Sequence, residues 1–555
     1  MRKHDPPIIN LGDLGCLGGW SPLWLLCLFV TATFPSWFLV GLQAAVAQSR
    51  FVVIFCGMNF TLCWFRRDLR LHDNAAFYHA LRGAARSGAN CLGFFCFDRE
   101  ILDKLHDRDD RRVEFIRQSV QEMEDELKAL GSGLVVRYGA VSEVFPELLE
   151  QIARQGKLLS VHAGHDYEPR RIERDRVIHA ICAERGIEFH TCKDHVIFEK
   201  DEVLTKAGTP QRVYTPYKNA WYAKLGENKS FFLKPYPTVD KYAAQLAPRK
   251  LLPPSDPFGS VRDIGFEPCK LLYPGGASAA RKLRDEFFER IDGYEELRNW
   301  PAKNGVSHLS VHLRFGTLSI RELFTAALAR NSAGARKWAD ELVWREFYNA
   351  VLHFFPRTQT RAFREEFESV EWDDPVRDEV AAQRFAAWCE GRTGYPIVDA
   401  AMRQLNQTGY MHNRLRMIVA SFLTKDLHIH WKAGERYFAR KLLDYDLSQN
   451  LGGWQWSAST GADGQPYFRI FNPVSQGQTW DPDGQFVRQY CPELRKLPDK
   501  HIHCPWDTPP LEAAAANCVV GRDYPAPIVE HDRERQIALN RFKKVSKAER
   551  VVREV

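Results

Sequence analysis

Two short stretches of the sequence place aromatic, amide and charged side chains at spacings that suit a pocket for a planar, polar ligand. "NLGGWQW" (450–456) sets two tryptophans one residue apart behind a glycine pair, and "YMHNRLRM" (410–417) combines an asparagine with cations and methionines. Glycines permit a close approach of the backbone to a ligand, whereas tryptophans offer faces on which rings stack. Asp444 and Asp446 add carboxylates beside Asn450, which suits a ring system rich in hydrogen-bond donors and acceptors.

"WADELVWREFYNAVLHFFP" (338–356) has the periodicity of a helix with one functional face. Four side chains recur there at spacings of three and four, and therefore share a face: Trp338, Glu341, Arg345 and Tyr348. Trp344 follows Glu341 by three residues, which lets a carboxylate and an indole border one pocket. A surface Glu–Arg pair beside half-buried aromatic rings explains the same pattern, so the residues alone leave both interpretations open.

These stretches need a scaffold, and the sequence predicts two domains of different class. Between about 60 and 200, short apolar runs such as "FTLCWF" and "CLGFFCFD" alternate with amphipathic helical patterns, which predicts a doubly wound parallel sheet. No GxGxxG opens any of these helices, which argues against a dinucleotide bound in the Rossmann manner. After about 275, helical patterns dominate. We therefore predict α/β plus all-α: an α/β domain over 58–195, a surface linker over 196–270, a helical domain over 271–535 and a C-terminal tail over 536–555.

The composition is that of a folded protein with a mild positive charge. Hydrophobic residues make up 45% of the chain and charged residues 26%, as in ordinary globular proteins. A net charge of +6 permits a nucleic-acid partner without requiring one. The 13 cysteines include no CxxC pair, which favours free thiols in a reducing compartment over a metal site.

The first 57 residues differ from the rest of the chain. No charged residue occurs between Leu14 and Ser49, a length sufficient to cross a bilayer. One interpretation is a membrane anchor. The other is an extension without a function, ahead of a start at Met58, because a well-formed strand pattern begins there. We favour the extension and expect a cytoplasmic protein.

Four longer blocks carry a specific family resemblance. They are "WREFY" (344–348), "GRTGYPIVDAAMRQL" (391–405), "TGYMHNRLRM" (408–417) and "DLSQNLGGWQWSASTG" (446–461), the last followed closely by "PYFRIFNP" (466–473). In type and order they resemble the photolyase/cryptochrome family, and within it the class I cyclobutane pyrimidine dimer photolyases. The resemblance runs from about Met58 through "YPAPIVEH" (524–531). It implies a carbon–carbon lyase that repairs dimers in DNA by blue-light-driven electron transfer from reduced FAD to the flipped-out lesion.

The resemblance also implies which residues hold FAD in the helical domain. They are Tyr294, Ser307, His308, Leu309, Ser310, Trp338, Glu341, Arg345, Asn413, Arg416, Asp444, Asp446 and Asn450. The family places Asn450 against the flavin N5. A neutral amide there can follow N5 between protonation states and favours the reduced flavin.

Tryptophans are expected in two roles. Trp454, Trp431 and Trp372 match the row that carries electrons inward to the flavin, and an ordinary core tryptophan is the alternative for Trp372. Trp344 and Trp456 resemble the pair that flanks the flipped dimer. Photolyases flip their target base out of the stack, which costs a few kcal/mol, and stacking on aromatic side chains returns about 1–3 kcal/mol per base. The two free energies are comparable, so a distorted dimer is extruded where a normal pair stays in the helix.

Further contacts to DNA follow from the same resemblance. Besides the two tryptophans, the expected set is Arg298, Asn413, Arg414, Met417, Arg469 and Gln476. Glu341 would hydrogen-bond a base carbonyl. If its pocket keeps Glu341 neutral, the acid donates a hydrogen bond to the dimer radical anion.

One departure from the family pattern concerns the antenna chromophore of the α/β domain. Where folate-binding relatives carry an Asn–Glu pair, this chain reads "DYEPRR" (166–171), with Arg170 and Arg171 in the matching places. A methenyltetrahydrofolate antenna is therefore in doubt, and a deazaflavin or an empty site is equally admissible.

The rival function from another class is a cryptochrome-type blue-light photoreceptor with the same fold. Against it stand Glu341, Asn450 and the paired tryptophans, and only about two dozen residues follow "YPAPIVEH". A (6-4) photolyase would carry a histidine in place of Asn413. The third alternative, a membrane-tethered flavoprotein, rests on residues 14–49 alone.

We expect a monomer that binds DNA containing pyrimidine dimers and needs no obligate protein partner.

Overall fold

The structure, a computed structural model, describes residues 58–553, with side chains up to residue 545. The alternatives of a membrane anchor and a functionless extension concern residues 1–57, which lie outside this range. Among the described residues, no helix combines the length and the apolar character needed to cross a bilayer.

The α/β domain is built on a five-stranded parallel sheet, which confirms the predicted fold class. Its strands are β1 (Met58–Phe65), β2 (Asn90–Asp98), β3 (Leu134–Gly139), β4 (Gly156–Gly164) and β5 (Glu188–Cys192), arranged β3-β2-β1-β4-β5. Along β1, Leu62 and Trp64 enter the core on one face, and Cys63 and Phe65 enter the core on the other. Both faces are therefore buried, as parallel sheets require.

Helices cover the two faces of the sheet between consecutive strands. They are α1 (Ala75–Ser87), α2 (Arg99–Leu102), α3 (Arg111–Ala129), α4 (Val141–Ala153) and α5 (Pro169–Glu184). Asn74 caps the start of α1, since its side chain accepts a hydrogen bond from the N–H of Phe77 at 2.9 Å. Gly88 ends the helix with a left-handed φ of 61°.

The segment between the domains is not entirely the surface connection that we predicted. It contains α6 (Tyr214–Glu227), α7 (Lys229–Phe232) and α8 (Val239–Tyr242). Trp221 of α6 is 1% exposed, and its Nε1 donates a hydrogen bond to Glu346 at 2.5 Å. The expectation is therefore wrong for α6, because aromatic side chains at helical spacing bury it against the helical domain.

The second domain is helical, as predicted. Its helices are α9 (Ala277–Phe288), α10 (Tyr294–Leu297), α11 (Ser310–Phe315), α12 (Ile320–Arg330), α13 (Ala333–Phe354), α14 (Glu379–Glu390), α15 (Pro396–Thr408), α16 (Asn413–Ser421), α17 (Trp431–Lys441), α18 (Leu447–Ser457), α19 (Pro473–Trp480), α20 (Gln485–Tyr490) and α21 (Pro510–Ala515). Gly409 ends α15 with a φ of 71°. A π-helical turn, Phe422–Asp426, continues α16.

The predicted boundary between the helical domain and a C-terminal tail (536–555) falls within a helix. Residues 531–553 form one helix, α22 (His531–Arg553). Phe542 is 2% exposed and packs against Phe367 and Val370, and His531 Nδ1 lies 2.5 Å from Asp426. The helix was missed because its charged surface conceals a single apolar stripe.

Ion pairs and backbone contacts join the α/β and helical domains. Asp107 of the α/β domain forms ion pairs with two residues of α17. Its Oδ2 lies 2.8 Å from Lys441 Nζ, and it also pairs with Arg440. Arg112 donates a hydrogen bond to the carbonyl oxygen of Ala439 at 2.7 Å. The two domains therefore share an interface close to α17 and α18.

Candidate active site

A cavity of about 500 Å³ lies in the helical domain, within the size range of ligand and cofactor sites. All the residues that the resemblance assigned to the flavin line it: Tyr294, Ser307, His308, Leu309, Ser310, Trp338, Glu341, Arg345, Asn413, Arg416, Asp444, Asp446 and Asn450. Of the residues assigned to DNA, the lining also includes Arg298, Trp344, Met417 and Trp456. The structure thus brings these side chains together, while their individual roles stay predictions.

The two glycines of α18 face different surroundings, an aromatic ring for Gly452 and the cavity for Gly453. A Cβ on Gly452 would lie 2.2 Å from the ring of Tyr348, so this glycine lets an aromatic ring lie against the backbone. A Cβ on Gly453 would meet no atom within 4 Å, and Gly453 lines the cavity. The first glycine serves packing, and the second keeps space open for a ligand.

The amide of Asn450 is oriented by a residue that the sequence reasoning missed. Its Nδ2 donates hydrogen bonds to the Glu435 carbonyl oxygen at 3.0 Å and to Glu435 Oε1 at 2.9 Å. This leaves Oδ1 of Asn450 as the amide atom available to a ligand in the cavity. Burial raises the pKa of Glu435. An acid four residues after Trp431, on the apolar face of α17, was the signal that could have revealed it.

Asp446 lies at the centre of a buried group of charges. Burial alone would raise the pKa of Asp446, but the guanidinium groups of Arg67, Arg314 and Arg345 outweigh it and hold the pKa well below its usual range. Asp446 also caps α18, accepting hydrogen bonds from Ser448 N at 3.2 Å and Ser448 Oγ at 2.6 Å. The carboxylate therefore links the charge of the cavity to the start of the helix that carries Asn450.

A second carboxylate in the cavity is paired within the helical domain. Arg416 Nη2 lies 2.8 Å from Asp444 Oδ2, and its Nε donates to the Met411 carbonyl oxygen at 2.9 Å. Arg345 is held differently, since it donates to the carbonyl oxygens of His195 and Leu313. Its charge is thus left to act on the cavity.

Trp344 and Trp456 are half-buried and both line the cavity. One face of Trp344 is covered by Tyr214 of α6, with ring centroids 3.5 Å apart and planes 9° apart. The Tyr214 hydroxyl donates to the Asp340 carbonyl oxygen at 2.7 Å. Tyr214 was missed because it lies in the segment that we took for a surface linker.

Arg298 and Glu341, which the resemblance assigned to separate contacts, form an ion pair at the cavity. Their side chains are 19% and 29% exposed. The Glu341 carboxyl group that we expected to contact the lesion is therefore already engaged by Arg298. Beside the pair, Asn413 Nδ2 lies 3.9 Å from Met417 Sδ, so these two residues share a face of α16.

Three residues expected to touch DNA lie outside the cavity lining: Arg414, Arg469 and Gln476. Arg414 donates a hydrogen bond to Asn299 Oδ1 at 2.8 Å, and its guanidinium lies 4.6 Å from the ring centroid of Trp480. Burial first, and then the charges of Arg298 and Arg469, lower the pKa of Arg414. These arginines therefore form a positive surface beside the cavity.

The three tryptophans that we predict to form a row differ in their burial. Trp454 lines the cavity, Trp431 is 1% exposed, and Trp372 is half-buried. The ring of His430 lies between the outer two, with centroids 5.3 Å from Trp372 and 5.4 Å from Trp431. A further tryptophan, Trp388, lies 6.0 Å from Trp454 and was not singled out from the sequence.

The lining fits the flavin that the resemblance implies. Gly453 leaves open space, and the amide oxygen of Asn450 offers an acceptor. Within residues 58–553, two buried polar atoms of the lining side chains have no hydrogen-bond partner, Arg314 Nη1 and Trp454 Nε1. A ligand with anionic groups and ring acceptors would satisfy such donors.

Comparisons with family models cover both domains. Residues 61–239 match the model described as DNA photolyase, and residues 338–544 match the model described as FAD binding domain of DNA photolyase. The second match contains α13 and α16 to α18, which carry most of the cavity lining.

Relatives and solved structures match over most of the chain. A deoxyribodipyrimidine photo-lyase of Vibrio cholerae is 40% identical over 87% of this chain and 99% of its own length. A class III photolyase from Agrobacterium tumefaciens superposes with a TM-score of 0.77 at 33% identity, over 90% of this chain and 100% of its own. A cryptochrome of Synechocystis gives a TM-score of 0.75 at 28% identity, over 87% and 99% of the two chains.

Proposed function

The chain belongs to the DNA photolyase family, and we infer that it is a deoxyribodipyrimidine photo-lyase that repairs cyclobutane pyrimidine dimers in DNA with light and FAD. The observation that carries this inference is the single cavity that joins buried Asn450 to half-exposed Trp344 and Trp456. The cavity thus has a buried end that suits a cofactor, and this end is continuous with a pair of indoles on which a flipped-out base can stack.

We propose that the buried end of the cavity holds FAD, which supplies the photoexcited electron for dimer splitting when it is bound. Arg345 and Arg314 present positive charge to its anionic groups. Asn450 presents Oδ1 as an acceptor toward the ring, because Glu435 holds the amide nitrogen away from the cavity. Trp454, Trp431 and Trp372 are proposed as the row that delivers electrons from the surface.

At the rim, we propose that Trp344 and Trp456 receive the flipped dimer and exclude water from it. The indole of Trp344 lines the cavity and is supported by the stacked ring of Tyr214. Glu341 accepts a hydrogen bond from a base N–H, while Arg298, its ion-pair partner, donates to a carbonyl or a phosphate. The arginine-rich surface with Arg414 and Arg469 would position the phosphate backbone.

A photoreceptor is the second candidate, favoured by the likeness to the cryptochrome of Synechocystis. The two functions differ in whether light releases intact bases from a dimer. The rim favours repair, because a photoreceptor needs no open indole pair beside the cofactor.

The test is a repair assay on the purified full chain. With its flavin reduced, the protein should remove thymine dimers from an oligonucleotide under blue light and leave them unchanged in a matched dark sample. Light-dependent flavin reduction without any loss of dimers would favour the photoreceptor.

Finer assignments stay proposals. Class I membership is supported by the four sequence blocks, while one structural neighbour is named a class III photolyase. The monomeric state, the cytoplasmic location and the identity of any antenna chromophore rest on the sequence interpretation alone. Titration with folate and deazaflavin, and sedimentation of the purified chain, would decide the antenna and the oligomeric state.

A further inference from the structure

An arginine of the α/β domain pairs with a carboxylate that lines the cavity of the helical domain. Arg67 follows β1, at the carboxyl end of the central strand, and its Nη2 forms an ion pair with Asp446 Oδ2. The two side chains are 7% and 6% exposed. Because the pair is buried, breaking it would leave a charge without compensation in a region of low dielectric.

The "DYEPRR" segment, which departs from the folate-binding pattern, holds this arginine in place. Arg67 Nη1 lies 3.2 Å from Glu168 Oε1 and 3.4 Å from Asp166 Oδ1. Arg171 closes the group from the other side, with its Nε 2.9 Å from Glu168 Oε2 and 3.6 Å from Asp166 Oδ2. The residues at the antenna position of this chain therefore support a contact that ends in the cavity.

Asp446 connects Arg67 to α18, the helix that carries Asn450. Its side chain caps the first turn of α18, and α18 carries Asn450, Trp454 and Trp456 along its length. A shift of the capped end would move the amide of Asn450, one turn away, by a similar amount.

We propose that Arg67 is a positioning residue for the flavin pocket: it anchors Asp446, and thereby fixes the start of the helix that presents Asn450 to the cofactor. The helical domain thus depends on the α/β domain to complete its cofactor site. This proposal rests on the proposed function, because it assumes that FAD occupies the cavity.

Arg66 provides a matched control beside Arg67. Its side chain is also 7% exposed and also ion-paired, but its partners, Asp175 and the Gly164 carbonyl oxygen, belong to the α/β domain. Arg66→Gln therefore removes a buried arginine of equal exposure without touching the cavity. A change in FAD affinity that occurs in the Arg67 variant but not in the Arg66 variant is therefore due to the ion pair between Arg67 and Asp446.

The experiment compares Arg67→Gln, Arg67→Lys and Arg66→Gln in the full chain, stripped of flavin and titrated with FAD. We expect Arg67→Gln to weaken FAD binding about tenfold or more, which corresponds to about 1.4 kcal/mol, with a shifted absorption band of the bound flavin. Arg67→Lys should recover part of the affinity, since it keeps the charge but not the fork geometry. Arg66→Gln should stay within about twofold of the parent.

A double variant keeps the proposal testable if Arg67→Gln alone folds poorly. In Arg67→Gln/Asp446→Asn both charges of the pair are removed, so the loss of FAD affinity should be no greater than in Asp446→Asn alone. Additive losses, or equal effects of the Arg66 and Arg67 variants on FAD affinity and on the flavin spectrum, would overturn the proposal. Failure of the parent chain to bind FAD would instead overturn the proposed function.

Discussion

At its buried end the cavity is bounded by ionised side chains, whereas its rim is bounded by aromatic rings that reach solvent. Asp446 and Arg314 are 5% and 7% exposed and compensate each other through charge. Trp344, in contrast, is held by the stacked ring of Tyr214 and lines the cavity. The difference matches two tasks, because a resident cofactor is held by fixed charge and a visiting lesion by contacts that form and break.

The largest loss of stability is expected from a substitution at the buried end of the cavity. Asp446→Ala should lower the free energy of unfolding of the flavin-free protein by about 3–5 kcal/mol, since it breaks the buried ion pair with Arg67. Urea denaturation would measure it. Asp499→Ala, which breaks the exposed pair with Arg488, is the control and should cost at most about 1 kcal/mol. Equal losses from both variants would mean that Asp446 is not the charge that stabilises this end.

At the rim, the expected effect falls on lesion binding instead of stability. Trp344→Ala and Trp456→Ala should each weaken binding of dimer-containing DNA by about 1–3 kcal/mol, or about 5- to 150-fold in Kd. Affinity for undamaged DNA and FAD content should change little. Fluorescence anisotropy with matched damaged and intact oligonucleotides measures the effect. Parallel losses on both oligonucleotides would show that the indoles act on the DNA backbone and not on the lesion.

Tyr214 of α6 stacks on Trp344 and so supports the rim of the cavity. Tyr214→Leu should weaken lesion binding by about 0.5–1.5 kcal/mol, the contribution of an aromatic pair beyond its buried area. Tyr214→Phe keeps the ring and loses only the hydroxyl bond to Asp340, so it should bind lesions nearly as well as the parent. The same anisotropy assay decides, and a Phe variant as weak as the Leu variant would assign the effect to the hydrogen bond.

The smallest effect is expected outside the cavity, at the ion pairs between the domains. Hydrogen bonds from Arg440 and Lys441 lower the pKa of Asp107 from 3.8 to about 2. Because the folded-state pKa lies below the unfolded one, the pair stabilises the protein above about pH 4 and loses this contribution as the pH falls toward 2. Asp107→Asn should therefore cost about 0.5–1 kcal/mol at pH 7.

Urea denaturation of Asp107→Asn and its parent at pH 7 and pH 3 measures that difference. It should shrink at the lower pH, where the parent carboxylate begins to take up a proton. A difference that grows on acidification would contradict the assigned sign.

Local pattern was sufficient to predict the parallel sheet and the helical class of the second domain, because alternating buried strands and amphipathic helices leave a periodic signal. It failed for α6 and α22, where many charged or proline-rich positions hide a narrow buried stripe. Motif resemblance found the side chains of the cavity lining but not their supports. Tyr214 and Arg67 act through contacts between segments distant in sequence, and such contacts leave no local pattern. Glu435 did leave a local signal, an acid on the apolar face of α17, which the motif resemblance does not include.

The last helix has a practical consequence for handling the protein. Phe542 of α22 packs edge-on against Trp372, with ring centroids 6.0 Å apart, and lies parallel to Tyr467. A chain shortened before α22 would expose that indole to water and to soluble quenchers, and would uncover the apolar wall beneath it. Shortened variants of the protein should therefore retain α22.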